Sequence, residues 1–217
     1  MRDPYRFMGH IYESLSNLYS GRRIAACKAA MLDYVQPDDR VLFAGVGYGK
    51  EAVAAAEKGA RVTVVDFSET MLGKFEKNIA DRTFKHPVEK KCADIFDVRP
   101  DAATYDFVFA NFFLNVFPRE KMDRVVAHLA DLVTPGGCLV VGDFSYPSGG
   151  VFSKAFQNMN WYIAVTLFFL STKNAFHKIY NYPLYLKKAG LTVEEVRYFT
   201  LFGQNCYWAV AARKKRV

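Results

Sequence analysis

The sequence has few cysteines, and none is placed for a metal site or a disulfide. Cys27, Cys92, Cys138 and Cys206 lie far apart among 217 residues, with no CxxC pair and no histidine at ligand spacing. This spacing disfavours both a zinc site and a disulfide framework. We therefore expect reduced, mostly buried thiols and no bound metal ion.

Long apolar runs are also missing. The most apolar segment, Trp161 to Leu170, has about half the length that a bilayer-spanning helix requires. The first residues carry positive charge, but no apolar stretch follows them as it does in a secretory signal. We predict a cytoplasmic protein that cannot cross a membrane, and we leave open a peripheral contact with the inner face of one.

Charge of either sign is scattered along the chain. The net charge is +7, yet Arg213 to Arg216 form the single basic cluster. Such a tail is either a solvated surface or a contact for anionic headgroups or nucleic acid. Because basic and aromatic residues do not alternate as they do along a nucleic-acid strand, we expect no nucleic-acid partner.

The order of the chain predicts one α/β domain. Residues 11–35 have helical periodicity, and from residue 41 onward β-type runs alternate with helical segments, without internal repeats or linkers. This alternation predicts a doubly wound, mostly parallel sheet whose ligand lies beyond the carboxyl ends of the strands. The predicted strands are 41–45, 61–66, 88–92, 105–110 and 138–143, and the predicted helices are 51–58, 68–80 and 119–132.

Residues 145–182 break the alternation with an aromatic-rich insertion, which we expect to be helical. A helix at 185–189, with Gly190 as its C-cap, follows the insertion. The last predicted strands, 192–199 and 206–212, are expected to be antiparallel to each other.

The stretch VLFAGVGYGKEA, residues 41–52, places Gly45, Gly47 and Gly49 between a strand and a helix. Such a turn offers main-chain N–H groups and a positive helix end to an anion or a nucleotide. Lys50 stands where the dinucleotide fingerprint needs its third glycine, which disfavours a pyrophosphate. An amino-acid end fits this turn better, and Asp66, ending the next strand, is placed to accept both hydroxyls of a ribose.

Five segments, GVGYG, VTVVDFSETML, CADIFD, YDFVFANFFLNV and LVTPGGCLVVGDF, together resemble the successive motifs of the class I S-adenosylmethionine-dependent methyltransferases. The resemblance covers about residues 38–145, and it is closest to the small-molecule branch of that Rossmann-like family. It implies S-adenosyl-L-methionine as the cofactor and a seven-stranded sheet with an antiparallel last strand. On this basis the single domain, 1–217, divides into an N-terminal helical cap (1–40), a cofactor-binding core (41–144), an acceptor lid (145–182) and a closing segment (183–217).

The resemblance also implies roles for residues at the strand ends. The glycines would pack against the methionine part, Asp66 would bind the ribose, and Asp94 would meet the adenine amino group. One departure is Phe43, where the family usually has an acidic residue that helps to hold the cofactor's ammonium group. The full set of expected cofactor-binding residues is Gly45, Gly47, Tyr48, Gly49, Asp66, Phe67, Met71, Asp94, Ile95 and Asn111.

The predicted acceptor is a small hydrophobic or aromatic molecule, either quinol- or phenol-like or an amine, because the lid is apolar. We expect Phe112, Asp143, Trp161 and Tyr180 to bind it.

The expected catalytic residues are His10, Tyr12 and His177. Either histidine is a candidate general base, although each fits a packing role as well. Tyr12 and Tyr48 have aromatic faces that suit a sulfonium. His86 and His128 are expected at the surface or in packing.

Two other functions remain open at this stage. Phe43 leaves room for a protein of the same fold that binds the cofactor without transferring a methyl group. The glycine turn alone also fits a nicotinamide-dependent oxidoreductase, although Lys50 disfavours it.

Overall fold

A computed structural model describes residues 20–99, 105–172 and 176–216. His10 and Tyr12 therefore lie outside the described residues.

The strands of the described chain form one sheet with the order β3-β2-β1-β4-β5-β7-β6. Strands β1 to β5 are mutually parallel where they pair, and β7 runs antiparallel to both β5 and β6. The predicted doubly wound, seven-stranded sheet with an antiparallel last strand is confirmed. The strands are β1 (Arg40–Ala44), β2 (Arg61–Asp66), β3 (Glu89–Cys92), β4 (Tyr105–Asn111), β5 (Val133–Phe144), β6 (Leu191–Leu201) and β7 (Gln204–Lys214).

Helices cover both faces of this sheet. Single-turn 3-10 helices at Leu32–Tyr34, Ile95–Asp97 and Leu114–Val116 lie between the longer elements. The α-helices are α1 (Arg23–Ala29), α2 (Lys50–Glu57), α3 (Glu69–Ile79), α4 (Arg119–Leu132), α5 (Val151–Thr172) and α6 (Tyr182–Lys188).

Two buried clusters form the core, one on each side of the sheet. The first joins α1, α2, α3 and α5 to side chains such as Phe43 and Phe109. The second joins α4 and α6 to side chains such as Leu42 and Val108. Alternate residues of β1 and β4 thus enter opposite clusters, as expected for strands buried on both faces.

Most element boundaries agree with the sequence prediction, and local signals explain why. Ser68 caps α3 by accepting a hydrogen bond from the Met71 N–H at 3.2 Å, as expected for a serine N-cap. Gly59 and Gly190 follow α2 and α6 with φ values of 86° and 81°, in the left-handed region that glycine adopts readily.

Boundaries were predicted wrongly in three regions. Strand β5 begins at Val133 rather than 138, because the expected turn at 135–137 lies within the strand as a break in its register with β4. Helix α6 begins at Tyr182 rather than 185. The last two strands extend to a tight turn at Phe202 and Gly203, whose φ values of 49° and 73° fit a type I′ hairpin.

The lid, residues 145–182, consists mainly of α5, which has 22 residues. Within the described residues, no helix combines the length and the apolar character needed to span a membrane. The apolar run at 161–170 is therefore the second half of a longer surface helix.

Candidate functional site

The carboxyl ends of β1, β2 and β4 bring three predicted segments together: the glycine turn, Asp66 with Phe67, and Asn111 with Phe112. We call this side of the sheet the carboxyl edge. In doubly wound sheets, ligands bind at such an edge, where the strand order reverses from one half to the other. Here the order reverses between β1 and β4.

The glycine turn is held by its own main chain. The Gly45 N–H donates to the Val65 carbonyl at 2.8 Å, and the Gly49 N–H donates to the Val46 carbonyl at 2.7 Å. Gly45, Gly47 and Gly49 have φ values of 78°, 52° and 67°. Each therefore has a backbone that other residues adopt only with strain.

The three glycines face different surroundings. A Cβ on Gly45 would meet the Phe113 ring, and one on Gly49 would overlap the Phe75 ring, whereas one on Gly47 would point into open space. Gly49 is therefore required by core packing. Gly47 leaves room for a ligand at the carboxyl edge.

Asp66 links the glycine turn to α3. Its Oδ2 accepts the Val46 N–H at 3.0 Å, and its Oδ1 accepts the Ser68 N–H at 2.9 Å. Each carboxylate oxygen has a further lone pair, so these bonds still leave acceptor capacity for ribose hydroxyls. Sequence reasoning did not anticipate this second, structural role.

The residues expected around adenine follow the carboxyl ends of β2 and β3. The Phe67 side chain is 48% exposed, whereas Met71 and Ile95 are buried. Asp94 caps the Ile95–Asp97 turn by accepting the Phe96 N–H at 3.1 Å, and the Lys121 Nζ lies 3.8 Å from its Oδ2. An exposed aromatic face next to Asp66 is the kind of surface on which a planar ring stacks.

Tyr48 lies half-buried within the turn, where its carbonyl accepts a hydrogen bond from the Asn78 Nδ2 at 3.1 Å. Phe43, at the position where the resemblance leads one to expect an acid, is buried and stacks on Phe109 with ring centroids 5.0 Å apart. The missing carboxylate is thus replaced by a packed aromatic pair.

Asn111 offers a buried acceptor at the end of β4. Its Nδ2 donates to the Lys28 carbonyl at 3.0 Å, while its Oδ1 is buried and has no hydrogen-bond partner among the described residues. An unpaired buried oxygen is costly unless a ligand or water pairs with it. The next residue, Phe112, has a φ of 51°, which is uncommon for a bulky side chain.

An aromatic cluster lies beside Phe112 and under the lid. Phe144 is central, with ring centroids 5.8 Å from Phe112, 5.0 Å from Trp161 and 5.1 Å from Tyr207. Phe112 and Trp161 were predicted as acceptor-binding residues, and the structure brings them to the same cluster. Phe144 and Tyr207 were not predicted as acceptor-binding residues, because an aromatic residue in a predicted β-strand is equally consistent with packing in the core.

Asp143, next to Phe144 in the chain, is fully buried. It accepts hydrogen bonds from the Asn115 Nδ2 at 2.8 Å, the Tyr182 hydroxyl at 2.8 Å and the Phe144 N–H at 2.7 Å. Burial raises the pKa of Asp143 to about 7, although these three donors oppose the shift. This carboxyl therefore links β5 to the 114–116 turn and to the end of the lid.

His177 also connects the lid to the 114–116 turn. Its Nε2 lies 2.9 Å from the Asn115 carbonyl, its Nδ1 lies 2.8 Å from the Lys178 carbonyl, and its ring stacks on Tyr180 at 4.2 Å. Because both nitrogens face main-chain oxygens, His177 can act as a general base only if one of these contacts breaks. Burial raises the pKa of Tyr180 to about 12, and its hydroxyl donates to the Phe117 carbonyl at 3.0 Å.

The two remaining described histidines lie away from this edge or in packing. The His86 Nε2 lies 2.7 Å from the Asp38 Oδ1, and the His128 Nε2 lies 2.9 Å from the Ile95 carbonyl. Among the cysteines, Cys27, Cys138 and Cys206 are buried and Cys92 is exposed. No group of three metal-ligating side chains occurs within the described part of the chain.

Residues 41–137 match the family model of the methyltransferase domain. They span the glycine turn, Asp66, Asp94 and Asn111 in the order described above. This part of the chain is therefore similar to a methyltransferase domain. This family is S-adenosylmethionine-dependent.

Two curated proteins are similar in sequence to this chain. Demethylmenaquinone methyltransferase of Clavibacter sepedonicus is 31% identical over 141 residues, which are 63% of this chain and 54% of that protein. Carboxy-S-adenosyl-L-methionine synthase of Shewanella oneidensis is 28% identical over 114 residues, which are 51% of this chain and 46% of that protein. The chain thus spans about half the length of the curated relatives it matches.

Solved structures share the fold over nearly the whole chain. Magnesium protoporphyrin IX methyltransferase of Synechocystis PCC 6803, with bound S-adenosylmethionine, has a TM-score of 0.67 at 18% identity, covering 98% of this chain and 90% of its own. The 1,6-didemethyltoxoflavin-N1-methyltransferase of Burkholderia thailandensis has a TM-score of 0.65 at 17% identity, and the match covers 99% of this chain and 92% of that one. At these identities the likeness establishes the fold.

Proposed function

We propose that this protein binds S-adenosylmethionine at the carboxyl edge and transfers its methyl group to a small hydrophobic or aromatic acceptor. The observation that carries the proposal is the open space at Gly47, directly beside the Asp66 carboxylate and the exposed Phe67 ring. The open turn, the acid and the aromatic face follow one another along the carboxyl edge. In that order they fit the amino-acid end, the ribose and the purine of the cofactor.

The residues present fit each part of the cofactor. The turn at 45–47 would hold the methionine end, and Asp66 would accept the ribose hydroxyls. Phe67, Met71 and Asp94 would surround the adenine. When bound, the cofactor supplies an activated methyl group on a sulfonium.

Asn111 offers a substitute for the acid that Phe43 replaces. Its buried Oδ1, without a partner among the described residues, is an acceptor suited to an ammonium group. A neutral oxygen holds a cation less strongly than a carboxylate does. We therefore expect the glycine turn and Asp66 to supply most of the cofactor affinity.

The aromatic cluster would position the acceptor. Phe112, Phe144 and Trp161 present apolar surface beside Asn111, and they would exclude water from the reacting atoms. Positive charge disappears from the sulfonium during transfer, so an apolar site does not oppose the reaction, and positioning can provide much of the catalysis. Two similar proteins methylate demethylmenaquinone and didemethyltoxoflavin, both small molecules, which supports this acceptor class.

The proton of the acceptor needs only a modest base. Asp143 is fully buried and both His177 nitrogens face carbonyls, so neither is free to take that proton in this arrangement. Water, or His10 outside the described residues, remains the proposed proton acceptor. Because quinol-like acceptors partition into membranes, peripheral contact with a bilayer is part of this proposal.

Isothermal titration calorimetry with S-adenosylmethionine, its demethylated product and NAD tests the cofactor assignment. We expect binding of the two methionine nucleosides but not of NAD. Asp66→Ala should abolish this binding, because it removes the ribose acceptor and releases the Val46 and Ser68 N–H groups. Asp97→Ala, an exposed acid in the 95–97 turn, is the matched control and should bind normally.

Turnover with methyl-labelled cofactor across quinols, phenols and amines then tests methyl transfer. Labelled product from a member of this panel supports the proposal. Tight cofactor binding with no labelled product from any of them would favour a cofactor-binding protein without methyl transfer. Binding of NAD alone would instead favour the oxidoreductase.

A further inference from the structure

Helix α5 presents an unusually apolar side to solvent. Its inner side carries Gln157, Asn160 and Trp161, all of which are buried. Its outer side carries Phe152, Met159, Ile163 and Leu167, whose exposed fractions are 93%, 52%, 43% and 47%. We call these four residues the outer lid face. Because they recur at helical spacing, they form one stripe about 25 Å long.

Neighbouring elements extend this stripe. Phe202, at the tip of the β6–β7 hairpin, is exposed and packs edge-on against Phe156 of α5, with ring centroids 6.1 Å apart. Further along α5, the exposed Phe176 ring stacks on Tyr162 at 5.8 Å and meets Phe169 at 6.3 Å. Contiguous exposed apolar surface of this extent marks a binding surface.

The charge of the lid indicates what covers it. Residues 145–182 contain no aspartate or glutamate, whereas Lys154, Lys173 and Lys178 lie among them. A second copy of the same face would bring like charges together. An anionic bilayer instead attracts the lysines and accepts the aromatic side chains at its headgroup level.

We infer that the outer lid face docks on the surface of an anionic bilayer. This places the carboxyl edge next to the membrane, so that an apolar acceptor reaches the site without crossing water. The source of the acceptor rests on the proposed function, but the docking itself does not, because it can be measured without cofactor or acceptor.

The basic tail does not take part in this contact. Arg213 pairs with the start of β5 near Gly136, and Lys214 donates to the carbonyls of Ala130 and Val133 at the end of α4. The tail therefore lies at the edge of the sheet opposite the lid. One flat bilayer cannot contact both edges.

Flotation of the full chain with vesicles tests the inference. We expect co-flotation with phosphatidylcholine vesicles that contain about 30% phosphatidylglycerol, and weaker flotation with phosphatidylcholine alone. The double variant Ile163→Glu, Leu167→Glu should bind at least about tenfold more weakly, because two exposed apolar side chains that would enter the bilayer become charged. Lys154→Gln with Lys178→Gln should reduce the preference for phosphatidylglycerol.

Two controls make the result specific. Leu184→Glu, at a more exposed leucine on α6 across the sheet, should float like the unmodified protein, and so should Lys215→Gln with Arg216→Gln in the tail. Circular dichroism and cofactor titration check that the lid variants remain folded.

Absence of flotation of the unmodified protein, or equal flotation of the Ile163 and Leu167 variant, would overturn the docking inference and leave the proposed methyl transfer untouched. A dimer that the same variant dissociates, without flotation, would overturn it in favour of a second copy.

Discussion

Gly47 and Gly49 have the same left-handed backbone but opposite surroundings, which makes them a matched pair of positions. Gly47→Ala should cost about 1 kcal/mol of folding free energy, from backbone strain alone. Gly49→Ala should cost about 2–4 kcal/mol, because its methyl group also overlaps the buried Phe75 ring. Urea unfolding measures both values.

The same pair separates ligand contact from stability. Under conditions where both variants are folded, Gly47→Ala should weaken cofactor binding at least about tenfold, because its methyl group fills the space left for the methionine part. Gly49→Ala should bind nearly normally. If cofactor affinity fell only in proportion to lost stability in both variants, Gly47 would have no direct contact with the ligand.

Asp143 should make the stability of the fold depend on pH. Its pKa in the folded protein is about 7, well above the ordinary value of 3.8 that it regains on unfolding. The folded state therefore favours the protonated carboxyl. Its contribution to stability is fully present below about pH 4 and is lost as the pH rises through 7.

Asp143→Asn tests this dependence, because asparagine stays neutral and keeps an acceptor for Asn115. We expect the unmodified protein to lose on the order of 2–4 kcal/mol relative to the variant between about pH 4 and about pH 8. Urea unfolding of both proteins at several pH values gives the difference. If the stability of the unmodified protein and that of the variant changed equally with pH, Asp143 would already be ionised in the folded state at the lower pH.

Among the elements, the trailing part of the lid, residues 176–181, is joined to the 114–117 connection, and His177 makes several of its contacts. His177→Ala removes the contacts to the Asn115 and Lys178 carbonyls and the stacking on Tyr180. Amide hydrogen exchange of residues 176–181 should then rise by about tenfold or more. Mass spectrometry of exchanged peptides measures this change, with the surface variant His86→Ala as the control.

This experiment also distinguishes positioning from catalysis by His177. A positioning residue should leave cofactor affinity unchanged while the exchange of the lid increases. A loss of turnover with no change in exchange would instead support the general-base role that the sequence predicted.

The elements of the core were predictable because each has local signals. Helix α4 has the predicted bounds, since Pro118 immediately precedes its first residue and a regular apolar stripe follows. The wrong boundaries lie where tertiary pairing decides. Strand β5 continues through Pro135 and Gly136 because β4 pairs on both sides of the break, and no local pattern contains that information.

The candidate site was predictable only in part. Strand ends, glycines and acids follow one another in the sequence, so the segments that meet at the carboxyl edge were found from it. The links from Asp143 to Asn115 and Tyr182 join residues up to 39 positions apart, and no sequence spacing predicts them. The double role of Asp66 and the replacement of an acid by the Phe43–Phe109 stack likewise depend on side-chain geometry.

At the scale of the whole molecule, the two ends of the sheet have different chemistry. The carboxyl edge carries the glycine turn, the aromatic cluster and the apolar lid. The opposite edge carries the basic tail, where Arg213 pairs with Glu194 at 2.7 Å and donates to the Gly136 carbonyl. The sequence shows both an apolar insertion and a basic tail, but only the strand directions reveal that they are at opposite sides.

The outermost strands, β3 and β6, each leave one row of main-chain groups unpaired within the sheet. Strand β3 carries Glu89, Lys90 and Lys91, and β6 carries Glu194, Glu195 and Arg197. Charged side chains on border strands oppose the addition of a strand from another molecule. The protein can therefore become concentrated on a two-dimensional surface without its sheets joining into fibrils.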